Sequence, residues 1–556
     1  MNIRKLPSAS QAFKYPLLIK SILAYSTMLE PYNEIVYKDT LRYNYFELNR
    51  RVRKQANVLK NLEIDGGKTI AVIDYDSHRY LECFFGIPMT GNVLHTINWR
   101  LSPAQVLYTI NHAQDEVIIC HIDFLPLLAS IFDEITTVKS IIICADNGEF
   151  VNNTTLPIIG EYEALLANAS DEYDFEDFDE DAIATTFYTT GTTGNPKGVY
   201  FTHRQLVLHT LSISVTFSAI DGACRFNNSD VYMPLTPMFH VHAWGFPYVA
   251  TMCNTKQVYI GKFEPETVLK CFVKEKVTFS HCVPTILQMF VSHPATQQID
   301  LSRWKVVIGG SALPEALAKA ALQRGVDVIT GYGMSETCPI LSTVYLKPED
   351  VQNTDIDFQV KARTRSGTPA ILVDLQLFTE DGKVAEKDGE TIGEITARTP
   401  WLTQGYFNEP EKSEELWKDG WLHTGDVATM NQSNSLKITD RIKDVIKSGG
   451  EWVSSIALEN LIGKHEAVQE VAVVGIPDIK WGERPHAMIV LKDGKSLTKE
   501  ILKDFLQKYV DDQTITAWTI PSSVDFAKAI PKTSVGKIDK KVIRASLANL
   551  EEKSLS

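Results

Sequence analysis

At 556 residues the chain exceeds the size at which one hydrophobic core keeps growing, so two or more domains are expected. Its 44% apolar and 22% charged residues are ordinary for a soluble globular enzyme. The net charge of −14 is unevenly spread: residues 442–556 carry 17 Lys+Arg against 16 Asp+Glu, leaving 38 against 53 on residues 1–441. An acidic body with a nearly neutral tail offers no electrostatic footprint for nucleic acid, nor general attraction to an anionic membrane. No run of 18 or more apolar residues occurs, so no transmembrane helix is expected. Met1–Lys5 is not followed by a secretory apolar stretch, and Ser554-Leu555-Ser556 is not a peroxisomal address. Eight scattered cysteines without a C-x-x-C pair read as reduced thiols of a cytoplasmic protein, several of them small core hydrophobes.

In chain order, Tyr15 to about Leu59 reads as amphipathic helices around a hairpin, Glu34–Tyr37 with Leu41–Tyr45. Thr69–Asp74 is a buried strand followed by a helix through His78–Phe85. Val117–His121 and Ser140–Cys144 are further strands, with a helix over Phe124–Glu134 between them. This alternation predicts parallel strands with helical crossovers. The acidic run Asp171–Asp181 reads as a solvated connection, because like charges favour extended, exposed chain. Beyond it, Val231–Pro234, Gln257–Ile260, Thr278–Cys282, Lys305–Ile308 and Val326–Thr330 continue the α/β rhythm. Val373–Phe378 with Gly393–Thr396 suggests a small antiparallel, barrel-like layer. Strands Glu470–Ile476 and His486–Leu491, alternating with helices Ala457–Lys464 and Thr498–Tyr509, form a small α+β unit.

The densest chemistry follows the apolar run Ala182–Phe187. From Thr189 to Gly198, four threonines, three glycines and one lysine fall in ten residues. Glycines let backbone N–H groups approach a ligand, and hydroxyls with Lys197 add donors, so the loop is suited to the phosphates of a nucleotide. It lacks the Walker A spacing, and alone it would read equally as a flexible surface turn. Gly309-Gly310-Ser311 follows a strand, where glycines permit close approach of a planar ligand. In Gly331-Tyr332-Gly333-Met334-Ser335-Glu336, the aromatic can stack on a base, the hydroxyl can bind a phosphate, and the carboxylate can hold Mg²⁺. In Trp421–Asp426 a carboxylate after a tight turn suits a ribose diol.

With the stretches Asp440–Ser455 and Pro531–Lys537, these motifs stand in an order that resembles the adenylate-forming superfamily: acyl-CoA synthetases, luciferases and peptide-synthetase adenylation domains. The resemblance covers nearly the whole chain, with weaker matches at Asn98–Leu101 and Gly475–Pro485. It implies an α/β fold with a large N-terminal domain of stacked mixed sheets plus the barrel-like layer, residues 1–441. A small mobile α+β domain, 442–556, follows; composition alone does not mark this boundary. ATP would be held by Thr189, Thr190, Gly191, Thr192, Thr193, Gly194 and Lys197. Gly310, Ser311, Gly331, Tyr332, Gly333 and Ser335 (a threonine in most of the family) line the nucleotide pocket. Asp426, Arg441 and the hinge residue Lys443 complete it, and Glu336 with Thr189 takes Mg²⁺. Lys537 is the mobile catalytic lysine, and Lys447 is counted with Glu336 beside it.

The same resemblance implies two steps: a carboxylate and ATP give acyl-AMP and pyrophosphate, then the CoA thiol takes the acyl group and AMP leaves. Between the steps the small domain would rotate about Lys443, withdrawing Lys537 and presenting Gly449-Gly450-Glu451-Trp452 as the pantetheine wall. His240, Val241 and Trp244, with Gly449, Gly450 and Trp452, form the acyl and CoA set. These segments are closest to medium- and long-chain fatty acyl-CoA synthetases, whose tryptophan gates the acyl tunnel; Trp244 could equally be plain core. Ligases for short, branched or sulfur-containing acids, and carrier-loading enzymes, stay open as alternatives. The fatty-acyl relatives suggest a homodimer.

Overall fold

Short runs rich in isoleucine and valine become the strands of two large sheets. The computed structural model describes residues 3–29, 31–148, 150–189, 195–219, 221–448, 451–533 and 536–554, with backbone alone for Glu451, Trp452 and residues 549–554. One sheet has seven strands, in the order Ile158–Glu161, Ser140–Cys144, Asp115–His121, Thr69–Ile73, Val93–Thr96, Ile183–Thr189 and Lys197–Thr202. All neighbours are parallel except the last pair, which turns back antiparallel. Parallel strands buried on both faces need apolar side chains on both, which is why Ser-Ile-Ile-Ile-Cys shows no alternation.

The second sheet has nine strands. Its parallel centre runs through Glu34–Tyr37, Lys256–Tyr259, Val231–Tyr232, Phe279–Cys282, Lys305–Ile308 and Asp327–Gly333. Antiparallel strands close both ends. Helices lie between the two sheets, and His78–Met89 is buried at all twelve of its residues. Its charged members survive there because they are paired: Glu82 accepts from Arg51 at 2.7 Å and from the hydroxyls of Tyr43 and Tyr162 at 2.8 Å, and Arg79 reaches Asp146 at 2.7 Å.

A five-stranded antiparallel sheet follows, built on Asp374–Phe378, Gly393–Arg398 and Trp421–Met430, with Leu436–Arg441 paired to the last. That pairing ends at Arg441. A separate sheet opens at Ile446–Ser448 and is carried by the long hairpin Val468–Asp478 with Gly482–Leu491. The large domain of stacked sheets, the small barrel-like layer and the small α+β unit are thus all present.

The departures from the sequence reading have local causes. The helix expected over Phe124–Glu134 is an α-helix at Leu125–Ile131 between two 3₁₀ turns; Pro126 has no N–H to donate back into the preceding turn. The strand expected over Val231–Pro234 stops at Tyr232, short of the proline. The acidic run 171–181 is, as expected, a largely exposed connection without regular structure, with three of its eight carboxylates paired. Asp171 meets Arg50 and Asp177 meets Lys20, each at 2.8 Å, and Glu180 accepts the Leu17 N–H at 2.7 Å. All eight cysteines are free thiols, seven of them buried. Among the described residues no helix is long and apolar enough to cross a membrane.

Candidate active site

Thr189, Gly310 and Glu336 lie at or just beyond the carboxyl ends of parallel strands, the usual ligand position in open α/β sheets, while Asp426 and Arg441 come from the antiparallel sheet and Lys537 from a turn near the C-terminus. Ile183–Thr189 ends at the glycine–threonine loop, of which Thr190, Gly191, Thr192, Thr193 and Gly194 lie outside the described residues. Thr189 stands opposite Lys197 in antiparallel register. The Lys197 ammonium lies 4.5 Å over the Tyr406 ring, and the Tyr406 hydroxyl donates to Glu336 Oε1 at 2.8 Å. Glu336 sits on a 3₁₀ turn, Ser335–Thr337, directly after the strand bearing Gly331, Tyr332 and Gly333. Burial pushes its carboxyl up, opposed by Tyr406, Lys197 and Arg441. Gly333 is obligatory, since a Cβ would fall 1.8 Å from the Pro339 carbonyl oxygen.

A second carboxylate is held in the same manner. Asp426 accepts the Tyr332 hydroxyl at 2.9 Å and faces Arg441 Nε at 3.1 Å, because Asp426 and Arg441 are register partners on neighbouring strands. Burial raises the Asp426 carboxyl, while Arg441, Tyr332, Lys537 and Lys443 favour its ionised form. Lys443 lies in the turn after Arg441, its own charge disfavoured by burial and by that arginine. Here the Tyr332 phenol is committed to Asp426, so the residue fixes that carboxylate whatever its ring faces.

Lys537 comes from the last sheet's side of the molecule. Its backbone is clamped in a turn by Thr533, which donates to the Lys537 carbonyl at 2.7 Å and accepts from its N–H at 3.2 Å. The side chain crosses to the large sheets: a Cβ on Gly310 would sit 3.0 Å from Lys537 Cε, a tight approach, and the Gly310 φ of +79° is itself a backbone that favours glycine. Ser311, next to it, is exposed. The ammonium shares a cavity of about 130 Å³ with His240, Trp244, Trp99, Arg100 and Asp76. Burial and the nearby Arg441 lower the lysine to about 8. His240 is pushed down to about 3 by burial beside Lys537 and Arg100, and is a neutral imidazole.

The acyl-side segment has an unusual backbone. Val241, His242, Ala243 and Trp244 all have φ between 48° and 59°, a left-handed turn completed by Gly245 at 74°. Such a conformation costs roughly 1–2 kcal/mol per residue, and surrounding structure must hold it. Here it is held from both sides. Thr96 donates to the Phe239 carbonyl at 2.9 Å, and His242 shares a 2.7 Å hydrogen bond with Thr185. The turn drives the Trp244 indole against Gly309, where a Cβ would lie 2.9 Å from Trp244 Cη2, and onto the His281 ring, 4.9 Å away. Val241 is buried in the core.

The expected residues are therefore brought together in part. Lys537, Gly310, His240 and Trp244 share one cavity; Glu336 with Lys197, and Asp426 with Tyr332 and Arg441, form two networks close enough for Glu336 and Asp426 to act on the Lys537 charge. Lys447 is not among them: it is exposed on Ile446–Ser448, 3.7 Å from Glu380. Gly449 and Gly450, and the Trp452 side chain, lie outside the described residues. Tyr406 and Asp76 were not foreseen. Tyr406 sits in Thr403–Phe407, a stretch without charge or motif, and only its contact with Glu336 reveals it. Among the described residues no group of three or more metal-ligating side chains exists. A cation here would be held mainly by a ligand's own oxygens, with Glu336 as a protein carboxylate; that suits Mg²⁺, which keeps water and phosphate ligands.

Comparison with known proteins agrees with this arrangement. Residues 28–407 match the AMP-binding enzyme family, and residues 457–537 match the AMP-binding enzyme C-terminal domain. The chain is 36% identical over 511 residues to a long-chain-fatty-acid–CoA ligase of Thermus thermophilus, covering 91% of each chain. It is 35% identical over 541 residues to a 3-methylmercaptopropionyl-CoA ligase of Ruegeria lacuscaerulensis, covering 96% of this chain and 98% of that one. Among solved structures, the anthranilate CoA ligase AuaEII in complex with anthranoyl-AMP superposes with a TM-score of 0.84 at 24% identity, over 96% of this chain and 99% of the other; at that identity the likeness speaks for the fold alone.

Proposed function

The chain belongs to the AMP-binding enzyme family and is an AMP-forming acyl-CoA ligase, and we propose that the acid it activates is a medium- or long-chain fatty acid. ATP and CoA are its co-substrates. Support for the fatty acid comes from the Thermus relative and from Trp244, an apolar indole held at the cavity wall by a strained turn. A second reading is a short sulfur-containing acid, favoured by the nearly equal identity to the Ruegeria ligase and by the small cavity. Drug-sized ligands usually occupy about 300–1,000 Å³, so a long chain needs Trp244 to move aside.

In this reading the observation that carries the mechanism is the Lys537 ammonium in one cavity with Gly310 and Trp244, beside both carboxylate networks. When the acid's carboxylate attacks the α-phosphorus, negative charge grows on the phosphorus oxygens and the departing pyrophosphate. A desolvated ammonium at that point stabilises the transition state more than the ground state. Asp426, fixed by Tyr332 and Arg441, accepts the ribose hydroxyls; Lys197 and the threonine loop take the phosphates. Mg²⁺, when bound with the nucleotide, supplies charge neutralisation for the phosphates, and Thr189 and Glu336 are the residues that would hold it. Tyr406 keeps one Glu336 oxygen engaged and leaves the other for the metal.

The second step needs the ammonium removed and the thiol admitted. We place the hinge at Lys443, dividing the chain into 1–441 and 442–556. The support is that sheet pairing ends at Arg441 and a new sheet begins at Ile446. Gly449, Gly450 and Trp452 would then line the thiol's path, with Lys447 brought inward from its exposed position. A cytoplasmic homodimer completes the proposal. A screen of AMP release across carboxylic acids from short to long chain tests the substrate. Maximal turnover at medium or long chain supports the fatty-acid reading, and turnover confined to short sulfur-containing acids replaces it.

A further inference from the structure

The cavity beside Lys537 has one wall that activation of the acid does not use. Asp76 stands on the loop after strand Thr69–Ile73, and three distant segments fix it. Its Oδ1 accepts the Met238 N–H at 2.7 Å, its carbonyl accepts the Gly261 N–H at 2.8 Å, and the Arg100 guanidinium lies near enough to favour its charged form. Oδ2 has no hydrogen bond to the described residues, although Asp76 lines the cavity. The other proton acceptors on that wall are unsuited to neutral pH. The Tyr75 phenol is bonded to Asp123 at 3.1 Å, and the His240 imidazole is held at about 3.

We propose that Asp76 is the base that takes the proton from the incoming CoA thiol in the second half-reaction. The proposal rests on the acyl-CoA ligase reading above. In the step, the thiol S–H bond breaks and its proton passes to Asp76 Oδ2. Sulfur bonds to the acyl carbonyl carbon, and that carbon's bond to the adenylate oxygen breaks, the electron pair leaving with AMP. The proton returns to solvent after the product departs.

The chemistry calls for such a group. A free thiol titrates near about 8.5, so little thiolate is present at neutral pH. A general base works best with a pKa near the working pH. Burial, with Asp74 adding to it, pushes Asp76 up to about 7, while the Met238 N–H and Arg100 oppose the rise. The remaining titratable groups near it are the phenols of Tyr80, Tyr232 and Tyr259, which burial keeps neutral, and His240 and Lys537 across the cavity.

The test uses the full chain and separates the half-reactions. Thioester formation from supplied dodecanoyl- or butanoyl-adenylate and CoA is followed against pH, alongside acid-dependent pyrophosphate release from ATP. Wild-type thioester formation should fall as pH drops through about 7, where Asp76 takes up a proton. Asp76→Asn keeps an acceptor for Met238, so it should leave pyrophosphate release within about twofold. It should slow the thioester step by roughly 100-fold, the low end of general-base contributions, and flatten that limb of the profile. Asp76→Glu should recover part of the rate with its limb displaced. A wild-type thioester rate and an unchanged pH limb in Asp76→Asn overturn the proposal. So does equal loss of both half-reactions, which makes Asp76 a structural strut. If the wild-type protein activates no acid at all, the ligase reading fails and takes this proposal with it.

Discussion

Glu336, just past a strand of the nine-stranded sheet, and Asp426, within the five-stranded antiparallel sheet, are both buried, and each is bonded by a tyrosine from another segment: Tyr406 in one case, Tyr332 in the other. Across the cleft, Lys537 arrives on a loop of the last unit. Beside the hinge the two parts are joined by buried hydrogen bonds, the Ser455 N–H and hydroxyl donating to Asp440 Oδ2 at 2.7 and 2.6 Å, whereas the ion pairs farther out are exposed. Lys464 meets Glu315 at 2.9 Å and Lys447 meets Glu380 at 3.7 Å, all part-exposed; Gly536 and Lys537 rest against Val283, Thr285 and Gly310. Exposed pairs of this kind are worth about 0–1 kcal/mol. The groups proposed to bind nucleotide thus sit in buried networks, whereas the cation proposed to drive the chemistry comes from a part whose outer ion pairs are cheap to break while its hinge-side hydrogen bonds stay buried. That difference is what a two-step enzyme needs, because the binding groups must persist through both steps and the ammonium must leave after the first.

The largest effect should come from removing the mobile cation. Lys537→Ala is expected to lower pyrophosphate release by roughly 10²–10³-fold, the scale of losing one preorganised donor to developing negative charge. Thioester formation from supplied acyl-adenylate should be largely spared; equal loss in both would erase the contrast between core and lid. The pH dependence has a definite sign. Lys537 is lowered to about 8, so its ammonium is present below that pH, and kcat/KM of the activation step should fall as pH rises through about 8. A flat profile up to pH 10, about where an ordinary lysine titrates, would say the ammonium is not desolvated there.

A smaller effect is expected on the rigid side. Tyr406→Phe leaves a buried Glu336 oxygen without its donor, a cost of about 1–3 kcal/mol, or roughly 5- to 150-fold in the affinity for magnesium–ATP measured by titration. An unchanged affinity would mean Glu336 does not serve the metal. Trp244→Ala should move the preferred chain length, with a change of roughly tenfold in kcat/KM between neighbouring acids and little change in ATP dependence. An unaltered acid profile would return Trp244 to the ordinary core. Smallest of all, Lys464→Ala should shift thermal stability by no more than about 1 kcal/mol and leave both half-reaction rates within about fivefold, as an exposed pair allows. A larger loss would mean the lid is docked more firmly than its contacts indicate.

The sheets were legible because parallel strands buried on both faces advertise themselves as short β-branched runs: Ser140–Cys144 and Lys305–Ile308 have the bounds expected of them. Motif glycines were legible for a similar reason, since Gly333 occupies a place where a Cβ cannot fit and Gly310 a backbone with φ of +79°. What escaped was whatever depends on distant segments meeting. Tyr406 finds Glu336 from 70 positions away, and Asp76 is bonded to Met238 from 162 positions away; neither pairing leaves a local signature. The left-handed turn at Val241–Trp244 was equally hidden, because valine, alanine and tryptophan carry no preference for that backbone and only tertiary contacts impose it. Lys447 shows the converse: a motif position read from sequence that this arrangement leaves exposed beside Glu380, away from the cavity.

In the proposed mechanism the lid moves between the two half-reactions. Replacing Glu315 and Lys464 by cysteine and joining them with a short bifunctional thiol reagent would hold the lid where it now stands; seven of the eight native thiols are buried and poorly placed to compete. The cross-linked protein should still release pyrophosphate from ATP and acid, yet fail to form acyl-CoA from supplied acyl-adenylate until the link is cleaved. Undiminished acyl-CoA formation with the link intact would show that the lid need not move.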